Sequence, residues 1–172
     1  MNERSMRGKT IVLVLAALIL AADLWSKHVA FETQTEHRVS WVVGEWLGLT
    51  KTTNVGVMWG GFSNLGPYLP YLRLVAALIV LIMAWSTPRE ARLVLWALGL
   101  VLGGALGNIY DGLTLGAVRD FIYVDLDFWI FDPFPVFNVA DSGICVGVGL
   151  LALSMLGGGG ATPATEPPGP GA

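Results

Sequence analysis

Two carboxylates in this chain stand where a carboxylate is costly to keep. Asp120 lies in AVRDFI between apolar neighbours, and Asp141 lies one turn inside FNVADSGICVG, at the head of an apolar, Gly-rich run long enough to enter a bilayer. Moving an ionised group out of water is strongly unfavourable unless a partner or a task compensates, so each is a functional suspect. Two carboxylates brought together in a low-dielectric site cannot easily both ionise; they share a proton, and one acts as acid and the other as base towards a trapped water. Such a pair titrates as a unit. That is the chemistry of aspartic peptide hydrolysis, with Asp120 and Asp141 as the candidate dyad.

Other polar residues gather at the edges of apolar runs: Asp23 and Lys27, Asn108 and Asp111, and Asn54 in the turn TNVGVMWGG. Each also has a plain structural reading. Asp23 and Lys27 form an i,i+4 pair that can stabilise a helix end or snorkel to an interface. Asn138 followed by Asp141 has the form of an N-cap with an acidic first turn. Asp125, Asp127 and Asp132, among aromatic neighbours, read as solvated charges. Competing chemistries lack parts. A Ser/His or Cys/His nucleophile needs a nearby histidine, and His28 and His37 lie in no nucleophile motif. There is no HExxH and no Cys pair with zinc spacing. The segment DGLTLGAVRDFIYVDLD could gather carboxylates around Mg²⁺, as lipid phosphotransferases do.

The framework that must hold these residues is apolar. Of 172 residues 54% are hydrophobic and 13% charged, with a mean hydropathy of +0.63, beyond the range of an ordinary soluble domain. A net charge of −3 excludes a strongly basic chain built for nucleic acid, and no nucleic-acid partner is expected. The lone Cys145 reads as a small core residue.

The apolar residues fall in blocks near bilayer length. A basic leader with Arg4, Arg7 and Lys9 precedes IVLVLAALILAA, which imitates a signal peptide but has no small-x-small cleavage pattern, so it reads as a retained first span. Further spans are expected at Tyr71–Trp85, Leu93–Ile109 and Asn138–Leu156, the second closed by Pro88. Residues 31–70, with Trp41 and Trp46 and short Val-rich runs, suggest an interfacial patch. The expected fold is therefore an all-α membrane protein with four transmembrane helices and a small outward-facing β-rich or irregular patch between helices 1 and 2. Residues 1–156 form one membrane domain and residues 157–172, Gly/Pro-rich, a disordered tail. Arg89 and Arg92 share a side with the basic leader, which puts both termini and the middle loop in the cytoplasm and the carboxylates near the outer face. A small channel or transporter is the competing class; it predicts polar residues deep within several spans, whereas here they lie at one face.

In order along the chain, DLWSK, TNVGVMWG, GGALGNIYDGLTLGAVRDFI and FNVADSGICVG resemble the motifs of the lipoprotein signal peptidases, the type II signal peptidases. The resemblance covers residues 23–147. It implies a four-helix, multi-pass enzyme of the bacterial inner membrane that acts as a monomer among membrane lipids. Its substrates are diacylglyceryl-modified prolipoproteins, cut just before the lipidated cysteine. It implies no metal or other cofactor. The family's catalytic aspartates fall on Asp120 and Asp141, and its site-supporting residues on Asp23, Lys27, Asn54, Gly56, Asn108, Asn138 and Ala140. Two positions depart from the family pattern. Gly112 stands where the family has arginine, with Arg119 a candidate substitute, and Trp59 follows Met58 where the family has A-F. The first departure leaves room for a member that binds lipopeptides without cutting them.

Overall fold

A computed structural model of the chain describes residues 3–55, 68–126 and 134–157, with side chains from Gly8 onward. The order is α1 (Glu3–Thr33), β1 (Ser40–Val43), β2 (Leu47–Asn54), α2 (Leu69–Ser86), α3 (Arg92–Thr114), β3 (Val118–Val124) and α4 (Val139–Gly157). Among the described residues, four helices are long and apolar enough to cross a membrane, each with a mean hydropathy of 1.8 or 1.9. The shortest candidate span has 18 residues; at about 1.5 Å per residue that is roughly 27 Å, close to the thickness of a hydrocarbon core.

The third helix is the axis of the bundle. More than half of its apolar window, 56%, is buried, against 22% for α1 and 17% for α2 and α4. Glycines make this possible, because lipid tails give helices no hydrophobic reason to associate and close backbone approach must supply the attraction. A Cβ on Gly103 would lie 2.7 Å from the Ala16 carbonyl and 2.8 Å from Ile19. A Cβ on Gly104 would overlap Ala140 and reach 2.8 Å from Ile144. Neighbouring glycines of α3 thus admit α1 on one side and α4 on the other. Val12, Ala16, Ala77, Leu95, Leu98 and Leu102 fill the space between. Leucines such as Leu18, Leu78 and Leu153 face outward, as a bilayer requires.

The helix ends follow local rules. Thr87 is extended (φ −72°, ψ 129°) and ends α2, because Pro88 bars the residue before it from helical geometry. Two residues past α3, Gly116 adopts φ +73°, the left-handed conformation that turns a chain out of a helix and that only glycine enters freely. That turn delivers β3.

The sheet differs from the expected patch. β1 pairs with β2 and β2 with β3, all antiparallel, so the third strand comes from the α3–α4 connection rather than from the segment between helices 1 and 2. The acidic residues around VRDFIYV make that stretch look like a solvated loop, but pairing with β2 places Asp120 opposite Thr52 and Val118 opposite Asn54. Backbone N–H groups of Phe121 and Ile122 donate to the Phe137 carbonyl at 3.0 and 2.8 Å, which ties the strand to the entrance of α4. The expected span ends move slightly: α3 runs on to Thr114, so Asn108 and Asp111 lie within the helix. Cys145 is also a correction. It is exposed, beside the exposed Val146, and not part of the core. Of the expected tail, residues 157–172, Gly157 is the last residue of α4, and residues 158–172 lie outside the described residues.

Candidate active site

The polar residues converge where α1, α3, β3 and α4 meet. Lys27, fully buried, is the hub on the α1 side: its Nζ is 2.7 Å from Asp23 Oδ2 and 3.3 Å from Asp111 Oδ2, and it donates to Asn108 Oδ1 at 3.1 Å. Asp23 and Lys27 are one helical turn apart, as their spacing predicts, but the pair is internal rather than a snorkelling surface pair. A buried cation without partners would be untenable; two carboxylates and an amide make it tolerable. Asp23 Oδ1 accepts the Ala140 backbone N–H at 2.9 Å, joining α1 to the first turn of α4. Gly107 lies directly against the Asp23 carboxylate, where any Cβ would overlap it.

Asn138 organises the other side. Its Oδ1 accepts the Asp141 backbone N–H at 2.9 Å while Asp141 Oδ2 accepts the Asn138 N–H at 3.3 Å, a reciprocal cap that satisfies two orphan donors at the start of α4. Its Nδ2 reaches three acceptors: Asp120 Oδ1 at 2.6 Å, the Arg119 carbonyl at 3.2 Å and Asn108 Oδ1 at 3.3 Å. Asn108 Nδ2 donates to Asp141 Oδ1 at 2.8 Å. The N-cap expectation therefore holds, and the same asparagine that caps the helix also touches both acids. Asn54, on β2, also bonds the Asp120 side chain.

The two acids differ in setting. Asp120 is 2% exposed; burial and then the nearby charge of Asp141 push its carboxyl up to about 6, against the pull of hydrogen bonds from Asn138 and Asn54. Asp141 is half-buried, reachable from outside the bundle. One acid inclined to hold a proton beside one reachable by water is an arrangement that can activate that water. Among the described residues, no three His, Cys, Asp or Glu groups are gathered to hold a metal ion.

Of the residues singled out in the sequence, Asp23, Lys27, Asn54, Asn108, Asp120, Asn138, Ala140 and Asp141 all meet in this cluster; Gly56, like Met58, Trp59, Asp127 and Asp132, lies outside the described residues. Asp111, noted in the sequence beside Asn108, and Arg119, noted there as the candidate substitute for the family arginine, join them. Asp111 is fully buried and accepts from Arg119 three ways: the backbone N–H at 3.0 Å, Nη2 at 2.7 Å and Nε at 3.2 Å. The signal for Asp111 was present, because three residues after Asn108 it shares that residue's helix face and needs a cation. The partner's identity was not in the spacing. A Cβ on Gly112 would lie 2.9 Å from Pro70 Cγ, and the cations at Asp111 are Arg119 and Lys27.

Comparison with known proteins agrees with this architecture. A solved bacterial membrane enzyme, determined by the in meso method, matches with a TM-score of 0.79 over 90% of this chain and 93% of its own, at 24% identity, a likeness of fold alone. A second such enzyme matches with a TM-score of 0.75 over 84% and 92%, at 26% identity. Curated lipoprotein signal peptidases are similar in sequence. That of Syntrophotalea carbinolica is 36% identical over 84% of this chain and 89% of its own length, and that of Moorella thermoacetica 35% identical over 84% and 91%. The family model described as signal peptidase (SPase) II matches residues 15–157. Four apolar helices, a three-stranded sheet and this match over most of the chain together place the protein in the signal peptidase II family.

Proposed function

We propose that this protein is an intramembrane aspartic endopeptidase that removes the signal peptide from diacylglyceryl-modified prolipoproteins, cutting before the lipidated cysteine, with Asp120 and Asp141 as its catalytic dyad. Family membership supports the substrate class. The observation that carries the dyad is the shared asparagine: Asn138 bonds Asp120 Oδ1 through its amide and Asp141 through both its backbone and its side chain.

In this reading Asp120, buried and with a raised pKa, holds the proton, and Asp141 is the base. Asp141 takes a proton from water as the water oxygen bonds to the scissile carbonyl carbon, and Asp120 protonates the carbonyl oxygen, giving a neutral gem-diol. Asp141 then passes its proton to the leaving nitrogen as the C–N bond breaks. Asp120 recovers a proton from one hydroxyl, leaving a carboxylic acid, and the dyad is restored. Asn108 and Asn138 hold Asp141 in place for its part; Lys27 keeps Asp23 and Asp111 from adding uncompensated negative charge beside the dyad. The basic residues near Gly8 and the α2–α3 turn favour the cytoplasmic side, so the dyad works near the outer face of the inner membrane.

The test is single-turnover cleavage of a diacylated precursor by purified protein. Asp120→Asn and Asp141→Asn are each expected to slow cleavage by about 10²–10⁴-fold or more while the thermal unfolding of both variants stays cooperative. Normal cleavage by either variant would overturn the dyad. No cleavage by the wild-type chain, with lipopeptide binding retained, would favour the non-cutting reading that Gly112 suggests.

A further inference from the structure

At the end of the bundle opposite the carboxylates, the start of α1, the end of α2 and the α2–α3 turn enclose a cavity of about 300 Å³. Local sequence builds it. Pro88 stops α2 and folds the chain back, and Gly8 lets α1 press against the turn, since a Cβ there would lie 3.1 Å from Leu95 Cδ1 and 3.3 Å from Arg89 Cβ. Lys9 and Arg89 both line the cavity, together with Trp85.

The cations are only partly engaged. Lys9 Nζ lies 5.5 Å over the Trp85 ring, and among the described residues no carboxylate lies within 4.0 Å of it. Arg89 offers Nε to Glu90 Oε1 at 2.6 Å, and no other acceptor for this guanidinium is present among the described residues. That pair is exposed on both sides, where an ion pair has little net worth, and the terminal nitrogens of the guanidinium can still grip a planar or tetrahedral oxyanion. Trp85 marks the level of the lipid headgroups. Beside it the outer face of α2, with Leu74, Leu78 and Ile82 exposed, offers a track for acyl chains. The cavity has room for a phosphate and its glycerol but not for a whole lipid. A basic peptide segment would meet two cations for one carboxylate.

We infer that this cavity is a binding site for the phosphate headgroup of an anionic phospholipid in the leaflet opposite the carboxylate cluster, held by Lys9 and Arg89. The inference depends on the bundle spanning a bilayer and not on the dyad. Glu90 competes for Arg89 and so weakens the site.

The test uses the full chain in nanodiscs of phosphatidylcholine doped with phosphatidylglycerol, reading retained lipid by native mass spectrometry after release. Wild type should retain phosphatidylglycerol in preference to phosphatidylcholine. The Lys9→Gln, Arg89→Gln double variant should lose that preference, by roughly a factor of five for each charge removed. Glu90→Gln should strengthen it. Cleavage of a diacylated precursor in pure phosphatidylcholine should be unchanged in all three, which keeps this result separate from that of the dyad. Equal retention of the two lipids by wild type would overturn the inference. So would a double variant that keeps the preference, or a Glu90→Gln variant that loses it. Displacement of the retained lipid by inorganic phosphate at equal phosphate concentration would assign the site to free phosphate and overturn the lipid assignment.

Discussion

Asp120 is where protonation, stability and the proposed chemistry meet. Its carboxyl is raised to about 6 by burial first and the Asp141 charge second, so between about pH 4 and 6 the unfolded chain has already lost a proton that the folded chain keeps. Stability must therefore fall as pH rises through that window, by roughly 3 kcal/mol in all. Asp120→Asn lacks this term, and its melting temperature in detergent should exceed that of wild type at pH 7 by more than it does at pH 4. A constant difference across the two pH values would show that the group is not perturbed. The same rise predicts that kcat/KM declines on its alkaline side with an apparent pKa near 6, a property of the pair. Arg119 acts through its neighbours. Its guanidinium and backbone N–H are both fixed to Asp111, and its carbonyl receives Asn138, so it sets the position of the residue that follows it. As a positioning residue, Arg119→Met should lower kcat about tenfold or more with little change in KM, and Arg119→Lys should restore part of the loss. An equal loss of binding and turnover would assign it to substrate contact instead.

Helix packing sets the distances on which those side chains depend. Gly103 and Gly104 bring α1 and α4 against α3, and Asn108 and Asp111 ride on the same helix towards Lys27 and Asp141. Overfilling such a contact commonly costs about 1–3 kcal/mol. Gly103→Ala, whose Cβ would sit 2.7 Å from a backbone carbonyl, should lower the melting temperature and reduce cleavage together. A Cβ on Gly149 meets nothing within 4 Å, so Gly149→Ala should be neutral or stabilising, gaining up to about 1 kcal/mol of helix propensity. If the two glycines respond alike, close approach is not what fixes the bundle. The strand β3 matters in the same way: Gly116 turns the chain out of α3, and pairing with β2 and Phe137 fixes β3 in place.

The molecule as a unit has a polar cluster at one end and basic residues at the other, with an apolar girdle between them. That asymmetry predicts how it sits in a membrane. In a Cys145→Ser background, a cysteine introduced at Thr87 should react with an impermeant maleimide only when the cytoplasmic side is accessible, and one at Thr35 only from outside. The reverse pattern would invert the proposed orientation and take the dyad away from exported precursors.

Hydropathy alone defined the spans, because crossing a bilayer demands about 20 apolar residues in a row and little else imitates that. It also singled out the acids, because ionisable groups beside such runs are rare enough to be noticed. The small residues GG and G of GGALGNIYD marked α3 as a helix that others approach. Three things had to come from folding. VRDFIYV is a strand only because β2 offers it a partner, and strand propensity depends on such context. Asp111 with Arg119 is a buried pair only because a turn at Gly116 brings β3 back onto α3. Asp120 and Asp141 share Asn138 across 18 and 3 residues of sequence, a meeting set by packing between distant segments, which no local pattern of residues encodes.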